Sequence, residues 1–498
     1  MSRPGKAVIV GAGVAGLVAA VELASAGVEV VVVEKEMKPG GKLRQISFGD
    51  AHIDAGPTVF TMRFVFDAVF AAAGTTLEQH LKLIPAEVLA RHTWDGARHL
   101  DLFVDIRRSA DAIGAFAGPA EARGYLAFCA RSAKIYRTLE GPFIRSQQPG
   151  SAFALARRVG LLAPNDLLGM SPFATMWNGL AEHFRDPRLL QLFGRYATYC
   201  GSSPWLAPAT LMLVAHVEQA GVWMVEGGMH QIARAFEALA ISKGATFRHG
   251  DGVTEILVEN GRAAGVRLKS GERITADTVV FNGDAAALAG GLLGRPASRA
   301  IAKPEGARSL SALTWTMNAA TSGFPLLRHN VFFSNDYQAE FNDIFIRRRL
   351  PTAPTVYVCA QDRGDIASAH EGPERLLVLS NAPATGDTVD FNAAEIASCE
   401  TRTFELLRRC GLTVDRNSAN TVVTTPTQWN QLFPATGGAL YGQATHGSMA
   451  PFRRPASGSR IPGLVLAGGS AHPGPGVPMA AMSGRLAAAT VLASLTRS

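Results

Sequence analysis

A chain of 498 residues is too long for one simple core and calls for two or three domains. With 47% hydrophobic and 18% charged residues it is excluded from the disordered class. The net charge of +7 is dispersed over the pairs Arg107-Arg108, Arg157-Arg158 and Arg453-Arg454 and the triplet Arg347-Arg348-Arg349, each read as solvated surface charge, and this dispersion argues against a nucleic-acid partner.

The chain opens on Lys6 to Val10, an apolar run with β-branched residues, as a buried parallel strand requires. An apolar stretch behind Arg3 and Lys6 has the outline of a secretion signal, but three spaced glycines and Glu22 argue for a folded element. Gly11-Ala12-Gly13-Val14-Ala15-Gly16 follows the strand directly, Leu17 to Ala26 reads as a helix, and Val28 to Val33 reads as a second strand ending at Glu34. Gly11 permits a tight turn, Gly13 lets the backbone approach a pyrophosphate, and Gly16 lets helix and strand pack. The helix N-terminus offers Val14 and Ala15 N–H groups to phosphate, and Glu34, followed by Lys35, stands where a carboxylate accepts from ribose hydroxyls. An acid there disfavours a 2′-phosphate and hence NADP; FAD and NAD are not separated by this site.

Further along, Pro39-Gly40-Gly41-Lys42-Leu43 is a turn able to wrap a cofactor and bring a cation to its phosphates, and Asp54-Ala55-Gly56-Pro57-Thr58 is a second close-approach turn. The middle of the chain, from about 85 to 220 and 290 to 440, has to build a substrate cavity. Pro172 to Trp223 is rich in apolar and aromatic residues such as Trp177, Tyr199, Trp205 and Leu211, read first as a helical core and second as a cavity wall or membrane-facing patch.

Gly227-Gly228-Met229 precedes a helical pattern from His230 to Ala240. Short strands are expected at Thr246-Phe247 and from Val253 to Ile256, with a hairpin turn at Asn260-Gly261. Asp277 to Asp284 reads as a buried strand running into a loop. Near the end, Gly463 to Gly469 is another apolar strand, leading through Ser470 to Pro478 into a helical pattern from Met479 to Leu495. That loop aims a helix N-terminus at a ligand, and a reduced flavin ring is the natural candidate.

Taken in this order, the motifs resemble those of the carotenoid desaturase branch of the flavin amine oxidase superfamily, typified by bacterial phytoene desaturases. The matching residues are Gly11 to Gly16 with Glu34, Gly40-Gly41-Lys42, Asp54 to Thr58, Glu226 to Met229, Ala276 to Asp284, and Gly468 to Pro478. Within the family, Asp54 to Arg63 is most similar to the 1-hydroxycarotenoid 3,4-desaturases. The resemblance implies FAD, a two-domain flavoprotein fold and a carotenoid substrate. It puts Glu34 on the adenosine ribose, Lys42 along the pyrophosphate and flavin, and Val253 at the adenine through its backbone. Asp284, Gly469, Pro473, Gly476, Val477, Pro478 and Met479 would lie around the flavin. Lys42 stands where many relatives carry Arg, which exchanges a fork for a point charge.

The expected architecture is α/β. It has a Rossmann-type FAD-binding domain built from discontinuous segments (1–85, 221–290 and 441–498), a helical substrate and membrane-contact region (86–220), and a mixed α+β substrate domain (291–440). The expected reaction removes a hydride beside the polyene and a proton from the neighbouring carbon, introducing the C3–C4 double bond of a 1-hydroxycarotenoid. Phytoene desaturation, carotenoid isomerisation and a carrier role without turnover are the alternatives. No catalytic dyad announces itself. Glu140, Asp186, His216 and Glu226 are the acids and base weighed as proton acceptor, none of them chosen. The electron acceptor, oxygen or a membrane quinone, stays open.

Five cysteines without a CxxC pair read as free thiols in a reducing compartment, and scattered histidines give no metal-ligating spacing. No stretch reads as a transmembrane helix. Contact with the membrane is therefore expected to be peripheral, on the cytoplasmic side, with Arg131, Lys134, Arg137 and Arg145 as candidate basic contacts.

Overall fold

A computed structural model describes residues 5–95, 98–159, 173–366 and 370–496. Arg3, from the basic N-terminus, and Pro172, which opens the aromatic stretch, lie outside the described residues.

Five parallel strands form the first sheet, in the order Thr246–His249, Glu29–Glu34, Lys6–Val10, Thr278–Phe281 and Leu464–Leu466. They come from three distant parts of the chain, so this sheet closes only when both ends meet. Both faces are covered, which is why its strands are apolar without interruption. Ala7, Ile9, Val30 and Val32 pack under the helices Val14–Ser25, His230–Ser242 and Val477–Leu495. The alternate residues Val8 and Val33 face a three-stranded antiparallel sheet, Val253–Glu259, Arg262–Leu268 and Arg273–Thr275. The hairpin turn lies at Asn260 and Gly261, both with positive φ (50° and 76°), as a type I′ turn demands.

Element edges move by one to three residues from their expected places. The first helix begins at Val14 rather than Leu17, with Gly16 inside its first turn and the extended Gly13 at its cap position. The terminal helix begins at Val477, with Pro478 in its first turn, where a missing N–H costs nothing. This helix is, among the described residues, the one long and apolar enough to cross a membrane, where the sequence was expected to hold no such stretch. More than half of its apolar window is buried in the fold, and it lies against Val14–Ser25, where Gly484 meets Ala15.

A second sheet of seven strands runs Thr421–Thr424, Ser311–Ala319, Glu374–Ala382, Val356–Ala360, His329–Phe332, Val88–Thr93 and His99–Phe103. It is antiparallel except where His329–Phe332 meets Val88–Thr93. Its last two strands lie inside the stretch expected to be helical. The alternation His99-Leu100-Asp101-Leu102-Phe103 carries the period of a strand, and Arg91 clamps Asp101 across the pair at 2.8 and 2.7 Å. One face of this sheet, with Leu313, Trp315, Val358 and Val378, packs on the helix Ala393–Arg409 through Cys399, Leu406 and Leu407. The alternate residues Thr314, Tyr357, Leu377, Leu379 and Asn381 face a cavity. Helices from Ile106 to Gln219 form the layer beside it, including Pro119–Leu139 and Leu213–Gln219.

Candidate functional site

One cavity of about 1220 Å³ runs from the first sheet to the second. Its near end is built by the segments singled out above. Gly11, Gly13, Val14, Ala15, Glu34, Lys35, Gly41, Lys42, Gly56, Pro57, Thr58 and Val253 all line it, as do Asp284, Gly469, Pro473, Gly476, Val477, Pro478 and Met479. Gly16 does not. A Cβ at Gly16 would collide with the Gly11 carbonyl and come within 2.6 Å of the Asn282 amide, so this glycine serves the packing of helix on strand.

The local geometry fits a dinucleotide. Val14–Ser25 starts with no side-chain cap and no acid in its first turn, and Val477–Leu495 also starts without a side-chain cap. Their free N–H groups open on the cavity, where phosphate or a reduced ring would satisfy them. Gly41 and Gly13 approach so closely that a Cβ on Gly41 would lie 3.3 Å from the Gly13 Cα. The buried Glu34 carboxylate accepts from the Ala12 N–H at 2.7 Å and the Glu36 N–H at 2.9 Å, which holds it at the strand end. FAD would therefore place its ribose at Glu34, its pyrophosphate at Gly11 to Ala15, and its ring between Gly56-Pro57-Thr58 and Gly474 to Met479.

Two lysines of this lining reach backbone carbonyls. Lys42 Nζ donates to the Leu440 carbonyl at 2.6 Å and lies over the Phe433 ring, and burial lowers its pKa. Lys35 Nζ reaches the Leu432 carbonyl at 2.5 Å. Asp284 caps the helix Ala285–Ala289 through the Ala286 N–H at 2.9 Å. Asp54 lies beneath the site instead of lining it. Its carboxylate accepts from the N–H groups of Met229 (2.6 Å) and His230 (3.3 Å), starting the helix His230–Ser242. This explains Gly228, where a Cβ would come 2.5 Å from Asp54 Oδ2.

Three residues of the site were missed. Arg454 was read as surface charge and is buried. Its guanidinium donates to the carbonyls of Tyr441 (3.2 Å), Gln443 (2.8 Å) and Gly469 (3.0 Å), tying the flavin loop to the preceding segment. Asn282 Nδ2 donates to the carbonyls of Gly11 (3.0 Å) and Gly13 (3.3 Å), bracing the glycine turn. Glu218 lines the cavity from the helix Leu213–Gln219, on one face with Leu211, Val214 and Val217. An acid at that register of an apolar helix face was the legible signal.

The four groups weighed as proton acceptors do not line the cavity. Glu140 pairs with Arg145, Asp186 caps Pro187–Gly194 and pairs with Arg188, Glu226 pairs with Lys82, and His216 packs on Tyr136. Arg131, offered as a lipid contact, is largely buried and paired with Glu182 at 2.7 Å, and Arg145 is spent on Glu140.

Comparison with known proteins agrees with this geometry. The flavin containing amine oxidoreductase family matches residues 14–492. The chain is 59% identical to a hydroxyneurosporene desaturase of Rubrivivax gelatinosus, over 99% of this chain and 94% of that one. It is 30% identical to a 1-hydroxycarotenoid 3,4-desaturase of a Flavobacterium species, over 97% of this chain and 98% of that one. Among solved structures, an oxidoreductase from Methanosarcina mazei superposes with a TM-score of 0.62 over 98% of this chain and all of that one, at 16% identity, a likeness of fold. The chain belongs to the flavin containing amine oxidoreductase family and uses FAD, which the glycine-lined cavity between the two uncapped helix ends fits.

Proposed function

We propose that this protein dehydrogenates a carotenoid, introducing the C3–C4 double bond into a 1-hydroxycarotenoid such as 1-hydroxyneurosporene. The observation that carries this reading is the continuity of the cavity. The same space that receives the dinucleotide extends over Leu377, Leu379, Leu211, Val214 and Val217, an apolar path suited to a polyene. Similarity to hydroxyneurosporene desaturases along nearly the whole chain supports it.

FAD, when bound, supplies the acceptor for the electron pair removed from the substrate. The chain supplies position and dryness. Leu377 and Leu379 wall the polyene from water on the sheet side, and Leu211, Val214 and Val217 do so on the helix side. Thr58, beside the ring position, is held by the Tyr357 hydroxyl at 2.7 Å, which in turn meets His329 Nδ1 at 2.7 Å. Burial and the nearby Arg328 and Arg195 push the His329 pKa down to about 3, so this network stays neutral at working pH.

A carotenoid is about as long as the ~30 Å hydrocarbon layer is thick, so it has to pass between bilayer and protein. A peripheral membrane position, with oxygen or a quinone as final acceptor, is part of the proposal. It is supported by the exposed Phe153 and Phe173 (70% and 89%), the first on the helix Ala152–Val159, whose Ala152, Leu155 and Ala156 line the cavity, and the second lining it directly.

The test is incubation of the FAD-loaded protein with 1-hydroxyneurosporene in liposomes, followed by absorbance and mass. Loss of two hydrogens with a red-shifted spectrum is expected. Conversion of phytoene instead would move the assignment to phytoene desaturation, and a protein that binds no FAD would overturn it.

A further inference from the structure

Beyond the flavin site, the cavity is lined by apolar residues, by neutral polar ones such as Thr314 and Asn381, and by one cluster that carries charge. Arg195, Tyr199 and Glu218 line it together, and Tyr357 lies beside them. The Arg195 guanidinium lies over the rings of Tyr199 (5.3 Å) and Tyr357 (5.5 Å), and its Nη1 donates to the Tyr199 hydroxyl at 3.4 Å. No carboxylate stands within ion-pair distance of it among the described residues. Glu218, buried, accepts from the Tyr196 hydroxyl at 2.7 Å. Burial raises its pKa, with Tyr199, Tyr196 and Arg195 opposing the rise.

A charged guanidinium and a carboxyl in a hydrocarbon tunnel are costly unless a ligand uses them. Faces of tyrosine compensate Arg195 in part, and its remaining N–H groups are left for the cavity. Of the four acids lining the cavity, Glu34, Glu36 and Asp284 belong to the dinucleotide segments, and only Glu218 stands on the substrate side, among the described residues.

The cluster is also in the right place. Contacts lead from Thr58 to Tyr357 at 2.7 Å, from the Tyr357 ring to Arg195, and from Arg195 to Tyr199. It therefore adjoins the ring end of the cavity. In a 1-hydroxycarotenoid a single methylene separates the hydroxyl-bearing carbon from the C3–C4 bond, so a hydroxyl site has to adjoin the flavin.

We infer that Arg195, Tyr199 and Glu218 form the subsite for the tertiary hydroxyl of the substrate, with Arg195 donating to its oxygen and Glu218 accepting a hydrogen bond from its O–H. This inference rests on the substrate reading above and assigns its specificity to named residues. A hydrocarbon end group placed there would strand a cation and an acid unsolvated, so the site rejects unhydroxylated carotenes.

The experiment compares kcat/KM for 1-hydroxyneurosporene, its 1-methyl ether and neurosporene, with flavin absorbance as the check of folding. Wild type should prefer the hydroxylated substrate over neurosporene by on the order of 10,000-fold, the range for a site built around a hydroxyl. Arg195→Met should collapse that preference to within about 10-fold. Tyr199→Phe, which removes one oxygen and keeps the ring under Arg195, should lower it by about 10-fold. Glu218→Gln should narrow the gap between the alcohol and its methyl ether, because only the alcohol donates. A wild-type enzyme that prefers the alcohol, with flavin-loaded variants that keep the same preference, overturns the subsite alone. A wild-type enzyme that turns over phytoene and none of the three test substrates overturns the substrate reading itself.

Discussion

At the residue scale, Glu34 and His92 show how burial turns chemistry into measurable behaviour. Glu34 is held by two backbone N–H groups and faces the cavity. Glu34→Ala removes the ribose acceptor and leaves those N–H groups unpaired. FAD affinity should fall by about 10- to 100-fold, as expected for one to two charge-assisted hydrogen bonds, measured by fluorescence titration of the apoprotein. His92 is buried, stacked on Phe333, with Nδ1 donating to the Leu100 carbonyl at 3.1 Å. Burial, aided by Arg195, pushes its pKa from 6.5 down to about 3. Between those values the unfolded chain binds the proton that the folded chain refuses. This contribution is thus complete above pH 6.5 and is lost as pH falls through the window, by up to about 1.4 kcal/mol per pH unit. His92→Phe should flatten the pH dependence of unfolding free energy between pH 6.5 and 4 by about that slope, measured by denaturant titration at each pH.

At the element scale, the contact of the terminal helix with the first helix holds the ring end of the site against the phosphate end. Gly484 is where they touch: a Cβ there would collide with the Ala15 carbonyl and lie 3.0 Å from its carbon. Gly484→Val should push Val477–Leu495 outward, cost about 1–3 kcal/mol of stability by overpacking, and loosen FAD in parallel. Thermal unfolding with release of flavin fluorescence checks both. A variant that loses stability while keeping FAD affinity would uncouple the helix from the cofactor. The helix Ala393–Arg409 offers a contrast away from the site. Asn392 closes its capping box with Glu395, and Asn392→Ala should cost about 1 kcal/mol of stability without changing FAD affinity.

At the scale of the whole molecule, the cavity proposed for FAD is lined by three segments that only tertiary structure brings together: residues near 11–58, near 253–284 and near 469–479. A ligand that binds the folded state alone stabilises it by mass action, about 2.7 kcal/mol at a hundredfold excess over Kd. The melting temperature should therefore climb with FAD concentration, read by circular dichroism. A melting temperature independent of FAD would mean that the three segments are already locked without it.

The cavity end proposed for the cofactor was the most legible part of the chain, for a physical reason. Close approach of backbone to phosphate demands glycine at particular positions, and a ribose demands an acid at a strand end. Gly11, Gly13, Gly41 and Glu34 are therefore written locally, and so are the apolar strands buried on both faces. The strand pair Val88–Thr93 and His99–Phe103 shows a strand's alternation in His99 to Phe103, but its place in the second sheet was not legible, because the partner His329–Phe332 lies far along the chain. Arg454 and Arg195 look like any surface arginine in sequence. Only the fold buries them, one against three carbonyls and the other under two tyrosine rings. Local backbone demands are thus settled by residue type alone, whereas the environment of a polar side chain, and with it the specificity of the cavity, is decided by what distant segments pack around it.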